Sequence, residues 1–141
     1  MLKNIVVGVD DSESALKAAQ RAAELAATTG AVLHVVSAVD DRRPLPDSTD
    51  VPEGVGTTPG EQAEAIAAGV ANALSDTTTQ VHASPHPGRP GDALVSVAKE
   101  VDADLIVVGN RRVQGLARVL GSVATDVLHH APCDVYIVKT V

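Results

Sequence analysis

Two short stretches put groups capable of chemistry where a strand gives way to a helix. The first is Gly8-Val9-Asp10-Asp11-Ser12, a carboxylate pair at the mouth of an apolar run. A carboxylate there can cap the next helix, accepting from its free N–H groups and complementing its dipole. It can equally be left over to accept hydrogen bonds from a ligand, and two aspartates allow one of each. The second runs from Gly109 to Ser122 and holds three glycines and the three arginines Arg111, Arg112 and Arg118. Glycines let backbone approach a ligand closely, and a helix opening at Gly121-Ser122 offers unpaired N–H groups and a positive dipole end to an anion. That combination suits a phosphate cradle. An ordinary Gly-rich turn with solvated arginines is the alternative.

Other chemistry finds little support. No Gly-x-Gly-x-x-Gly follows the first strand and no Walker lysine is present, so neither a redox dinucleotide cofactor nor a P-loop is expected. His129 and His130 are neighbours on a helix and point different ways, which suits a solvated helix end better than a metal site. His34, His82 and His86 are expected to be structural. Cys133 is the single cysteine, which excludes an intramolecular disulfide and a cysteine zinc cluster, and it is expected to pack rather than react. The formal charge of −7 argues against duplex nucleic acid, and one Tyr with no Phe or Trp leaves no stacking platform for single strands. No signal-peptide pattern and no membrane-length apolar run is seen, so a cytoplasmic protein without a membrane partner is expected.

The elements that must position these residues alternate. Ile5 to Val9 reads as a buried parallel strand, and the alanine-rich stripe that follows Ser12 reads as a helix ending at Gly30. Ala31 to Val39 is the second strand. The segment 40–60, rich in Pro, Asp, Thr and Gly, is expected to be a long mobile loop within one domain spanning 1–141. Then come a helix from Glu61 to Leu74, a short polar edge strand at Gln80 to Ala83, and a helix from Gly91 to Val101. A very hydrophobic strand, Leu105 to Val108, is followed by the arginine loop, a helix from Ser122 to His130 and a last strand, Val135 to Val138. The order β-α-β-α-β-α-β-α-β predicts a doubly wound α/β fold with a parallel sheet, whose ligands bind outside the carboxyl ends of the strands where the winding reverses.

Four pieces in this order, Val-Gly-Val-Asp-Asp-Ser at the first strand end, Leu33-His34-Val35-Val36, Ala103 to Gly109, and Gly121-Ser122-Val123 with His130-Ala131-Pro132-Cys133-Asp134-Val135, resemble the universal stress protein family. The resemblance covers nearly the whole chain apart from 40–60. It implies a five-stranded parallel sheet in the order 3-2-1-4-5 and binding of ATP or another adenine nucleotide, with magnesium a companion ion, by a protein that need not be a catalyst. It assigns Asp10 to the ribose, the Val35 backbone to adenine, and Gly109, Gly121, Ser122 and Val123 to the phosphates. Gly8 lines the same cleft, and Val108 and Arg112 complete the candidate set. The family pattern of Gly, two residues, Gly, nine residues, Gly, then Ser or Thr is altered here. Arg112 replaces the second glycine and eight residues separate it from Gly121.

The first expectation is therefore a stress-response or signalling protein governed by an adenine nucleotide. A dimeric interaction protein of the same fold, its pocket altered by Arg112, and a slow ATPase are the alternatives. Val135, Tyr136, Ile137 and Val138 are apolar on both strand faces, so an edge strand built from them is expected to pair with a second copy.

Overall fold

The computed structural model describes residues 2–40, 58–78, 80–110 and 121–140. Most of the loop expected at 40–60, and all three loop arginines, lie outside the described residues. The strands are β1 (Asn4–Val9), β2 (Val32–Val39), β3 (Val81–Pro87), β4 (Leu105–Asn110) and β5 (Asp134–Lys139). The helices are α1 (Glu13–Thr29), α2 (Pro59–Ala73), α3 (Pro90–Glu100) and α4 (Ser122–His130). All strand pairings are parallel, in the order β3-β2-β1-β4-β5.

The middle strands are uninterrupted apolar runs because both of their faces are covered. Ile5, Val7, Leu33, Val35 and Val107 pack under α1 and α2. Val6, Val36, Ile106 and Val108 pack on the other face under α3 and α4. With no Phe or Trp available, close helix-on-sheet contact rests on small side chains. Ala18, Ala19, Ala22, Ala23 and Ala26 of α1 are at most 1% exposed. The helix stops at Gly30, whose left-handed backbone returns its N–H to the Ala26 carbonyl.

Several boundaries differ from the sequence reading. Thr58 caps α2 by accepting from the Glu61 N–H, and Pro59 takes the first helical position, so the helix begins two residues before Glu61. β3 runs on through Pro85 and Pro87, well past Ala83. As an edge strand it needs no N–H on its outer side, so proline is tolerated there.

After β3 the chain crosses back over β1 to enter β4, and this reversal opens a crevice at the carboxyl ends of β1 and β4. Among the described residues no helix is long and apolar enough to cross a membrane.

Candidate functional site

A cavity of about 280 Å³ occupies that crevice. Its wall begins with Gly8, Val9 and Asp10 at the end of β1 and continues through Val36, Ser37 and Ala38 near the end of β2. Gly109 and Asn110 close β4, and Gly121 to Ala124 open α4. Ser12, Ser14 and Ala15 come from the start of α1, Ile66 from α2, and Pro90 and Leu94 from α3.

The start of α1 is satisfied by its own chain. Ser12 is the cap, its Oγ accepting from the Ala15 N–H at 3.1 Å. Asp10 in turn holds Ser12, its Oδ1 accepting from the Ser12 N–H at 2.8 Å and from the Ser12 hydroxyl at 2.5 Å. From the sequence, Asp11 and Ser12 are both able to cap α1, and one of the two aspartates is expected to be free. In the structure neither aspartate caps the helix: Asp11 is exposed and Asp10 orients the serine. Both of these Asp10 bonds fall on Oδ1, so its second oxygen is not spent on the cap.

The start of α4 is built differently. Gly121 stands at the cap position with no side chain to offer, and among the described residues no side-chain hydrogen bond caps the helix. The first bonds that return to this end run from the Thr125 N–H and the Thr125 hydroxyl to the Gly121 carbonyl, each 3.0 Å. The N–H groups of Ser122, Val123 and Ala124 therefore precede the helix's own acceptors, on residues that line the cavity. The Gly121 N–H is held by Asn110 Oδ1 at 3.1 Å, which ties the end of β4 to the start of α4. A helix start of this kind, with its dipole directed outward, receives an anion.

Behind this end of the cavity, Gly109 lets β4 pass close to α1. A Cβ on Gly109 would meet the Ser14 carbonyl oxygen at 3.2 Å and the Ala18 methyl at 3.3 Å. The Ser14 hydroxyl shares a 2.5 Å hydrogen bond with that of Thr140, and the Thr140 N–H reaches the Asn110 carbonyl at 3.4 Å. Gly8 is equally close to its neighbour. Leu94 lies over it so tightly that a Cβ would come within 2.8 Å of a Leu94 methyl.

Of the residues singled out in the sequence, the cavity brings together Gly8, Asp10, Gly109, Gly121, Ser122 and Val123. Val35 and Val108 do not line it. Val35 is fully buried beneath α1 and α2, and Val108 is buried beneath α3 and α4. On β2 the lining falls to Val36, Ser37 and Ala38, nearer the carboxyl end where the crevice opens. Arg112 lies outside the described residues. Ser14, Ser37, Ile66, Pro90, Leu94 and Asn110 were not singled out in advance. Counting back from the strand ends points to Ser37 and Asn110, whereas the α2 and α3 residues needed the packing of the layers.

The groups with displaced protonation lie away from the cavity. His34 is held below the usual histidine range by burial first and by the neighbouring His82 second. Asp104 is lowered by the N–H groups of Asn4 and then Lys3, which it accepts at 3.0 and 2.7 Å. Burial, followed by the charges of Asp134 and Asp104, raises the Cys133 thiol, so it stays protonated and packs beside α3 and α4. His129 and His130 are tilted apart at 6.3 Å between ring centroids, and among the described residues no group of three or more His, Cys, Asp or Glu could hold a metal ion.

A five-stranded, all-parallel, doubly wound sheet with helices on both faces and a crevice at its switch point defines the class as an α/β protein. The chain belongs to the universal stress protein family, whose sequence profile matches residues 1–139. A universal stress protein of Mycobacterium tuberculosis is 38% identical over 144 aligned residues, covering 98% of this chain and 97% of the relative. Among solved structures, a universal stress protein in complex with cAMP superposes with a TM-score of 0.76 at 34% identity, covering 99% of this chain and 98% of the other. The universal stress protein from Archaeoglobus fulgidus in complex with dAMP gives a TM-score of 0.69 at 28% identity, covering 99% of this chain and all of the other.

Proposed function

We propose that this protein binds an adenine nucleotide in the cavity at the carboxyl ends of β1 and β4 and signals through that occupancy in a cytoplasmic stress response. The observation that carries the reading is the pairing of a carboxylate at the end of β1 with an uncapped helix start at α4 across a single cavity. Asp10 can accept from ribose hydroxyls through the oxygen that the α1 cap does not use. The N–H groups of Ser122, Val123 and Ala124 can receive the phosphate. Two solved relatives carry cAMP and dAMP, which supports a monophosphate as readily as ATP. ATP with magnesium remains within the reading. Isothermal titration with AMP, cAMP and ATP tests it. Saturable binding of one or more of them is expected, and absence of binding with all three overturns the reading.

We also propose that the protein acts as a homodimer paired through β5. Val135, Tyr136 and Ile137 are only partly buried on this edge strand, although their types are those of a core. Sedimentation at micromolar concentration is expected to show a dimer that Ile137→Asp weakens, with circular dichroism confirming the fold. A monomeric wild type overturns it.

A further inference from the structure

The cavity contains a hydroxyl that the fold itself does not use. Ser37 is 2% exposed and lines the cavity from β2, between Val9 of β1 and Pro85 of β3 in the sheet register. Buried side-chain hydroxyls are ordinarily partnered, because an unpaired one loses its bond to water and gains nothing. Among the described residues the Ser37 hydroxyl has no hydrogen-bond partner, and no fully enclosed side-chain oxygen or nitrogen lacks one. The two facts agree only if the hydroxyl opens onto the cavity.

We propose that Ser37 is a specificity-determining residue that hydrogen-bonds the edge of the nucleobase, an inference that rests on the nucleotide reading above. Its place in the sheet gives the reason. The phosphate-receiving N–H groups open α4, which follows β4, and Asp10 ends β1, which lies between β4 and β2. Two strand spacings separate β2 from β4, on the order of 10 Å. That matches the reach of a nucleoside monophosphate from base to phosphate, with the ribose over β1. The surroundings of Ser37 are also those of a base. Val9, its register partner on β1, lines the same cavity together with Ala15 and Ile66 from the α1 and α2 layer, and these supply apolar wall. A flat heterocycle seated there is held by contact and oriented by one polar group. A serine hydroxyl both donates and accepts, so it can answer a ring nitrogen or an exocyclic amine.

The test compares wild type with Ser37→Ala by titration with adenosine and with AMP. Removing one neutral hydrogen bond is expected to weaken both ligands by the same factor, roughly five- to tenfold, leaving the ratio of AMP to adenosine affinity unchanged. Alanine is smaller and apolar, and an unaltered urea midpoint confirms that the fold is intact. Equal affinities in the two proteins overturn the assignment of Ser37 alone. Loss confined to AMP also overturns it, because the hydroxyl then serves the phosphate. Failure of wild type to bind either ligand overturns the nucleotide reading itself, and this inference with it.

Discussion

The two ends of the sheet use similar polar residues to opposite effect. At the amino end the groups find one another: Asp104 accepts from the Lys3 and Asn4 backbones, the Asn4 side chain meets His34 Nε2 at 3.1 Å, and His34 stacks on His82 at 5.7 Å. None of these residues lines the cavity at the carboxyl end. At the carboxyl end Ser12 is satisfied, but among the described residues the Ser37 hydroxyl and the first N–H groups of α4 are not. Polar groups that close on themselves hold the fold, while those left open at a switch point are available to a ligand. Residue type alone does not separate the two cases; the completeness of the hydrogen bonding does.

The largest expected effect lies at the open end. Asp10→Ala removes a charged acceptor from the cavity and is expected to cost about 1.5–3 kcal/mol of nucleotide binding, or roughly ten- to a hundredfold in affinity. Calorimetry with AMP measures it. The α1 cap remains on Ser12, so the far-ultraviolet spectrum is expected to be unchanged. Equal affinities would make Asp10 a support for Ser12 and nothing more, and the two ends of the sheet would then be alike at this residue.

A second change gives α4 the side-chain cap that α1 has. Gly121→Asp fits sterically, since among the described residues a Cβ there meets nothing nearer than Asn110 Oδ1 at 3.7 Å, and the extended backbone at this position suits a cap. The carboxylate is expected to stabilise the helix by a few tenths of a kcal/mol relative to glycine. It would also set a negative charge where the phosphate belongs. AMP affinity is expected to fall by roughly fivefold, in line with about 1 kcal/mol for like charges about 4 Å apart in water, while adenosine changes little. A parallel loss of both ligands would place the phosphate elsewhere.

The sequence was most informative where one physical constraint governed many residues. Runs such as Ile5-Val6-Val7 and Ile106-Val107-Val108 have to be strands covered on both faces, and the alanines of α1 leave little choice of packing face. The open start of α4 was legible for a similar reason, because Gly121 has no side chain with which to cap it. The β2 side of the cavity was not. Val35 belongs to the same apolar run as Val36, and nothing in that run shows how far along the strand the crevice opens. That depends on where the helix layers stop, which also explains why Ile66, Pro90 and Leu94 escaped notice. At the start of α1 the sequence left Asp11 and Ser12 as alternative caps, and the structure takes Ser12, which recruits Asp10 as its own acceptor.

The smallest expected effect belongs to the closed end, and it is read in stability rather than binding. His34 is half-buried beside His82, and its protonation is disfavoured by burial first and by the second imidazole next. The unfolded chain carries this histidine near its ordinary pKa of about 6.5. The folded value is lower, so below about pH 6.5 the unfolded state binds the proton more readily, and protons pull the equilibrium toward it. The contribution of neutral His34 is therefore fully present above that pH and is lost as the pH falls through the folded value. Urea midpoints at pH 7.5 and 5.5 measure the loss, and the comparison with His34→Gln removes what the other histidines contribute. The variant is expected to lose less stability on acidification than wild type, with its affinity for AMP at pH 7.5 unchanged. His82→Gln is expected to reduce the pH dependence only in part, because it removes the lesser of the two causes and leaves burial in place. An identical pH response in wild type and His34→Gln would show that the amino end does not gain stability from keeping this imidazole neutral. A change in AMP affinity would mean that the two ends of the sheet are coupled rather than separately built.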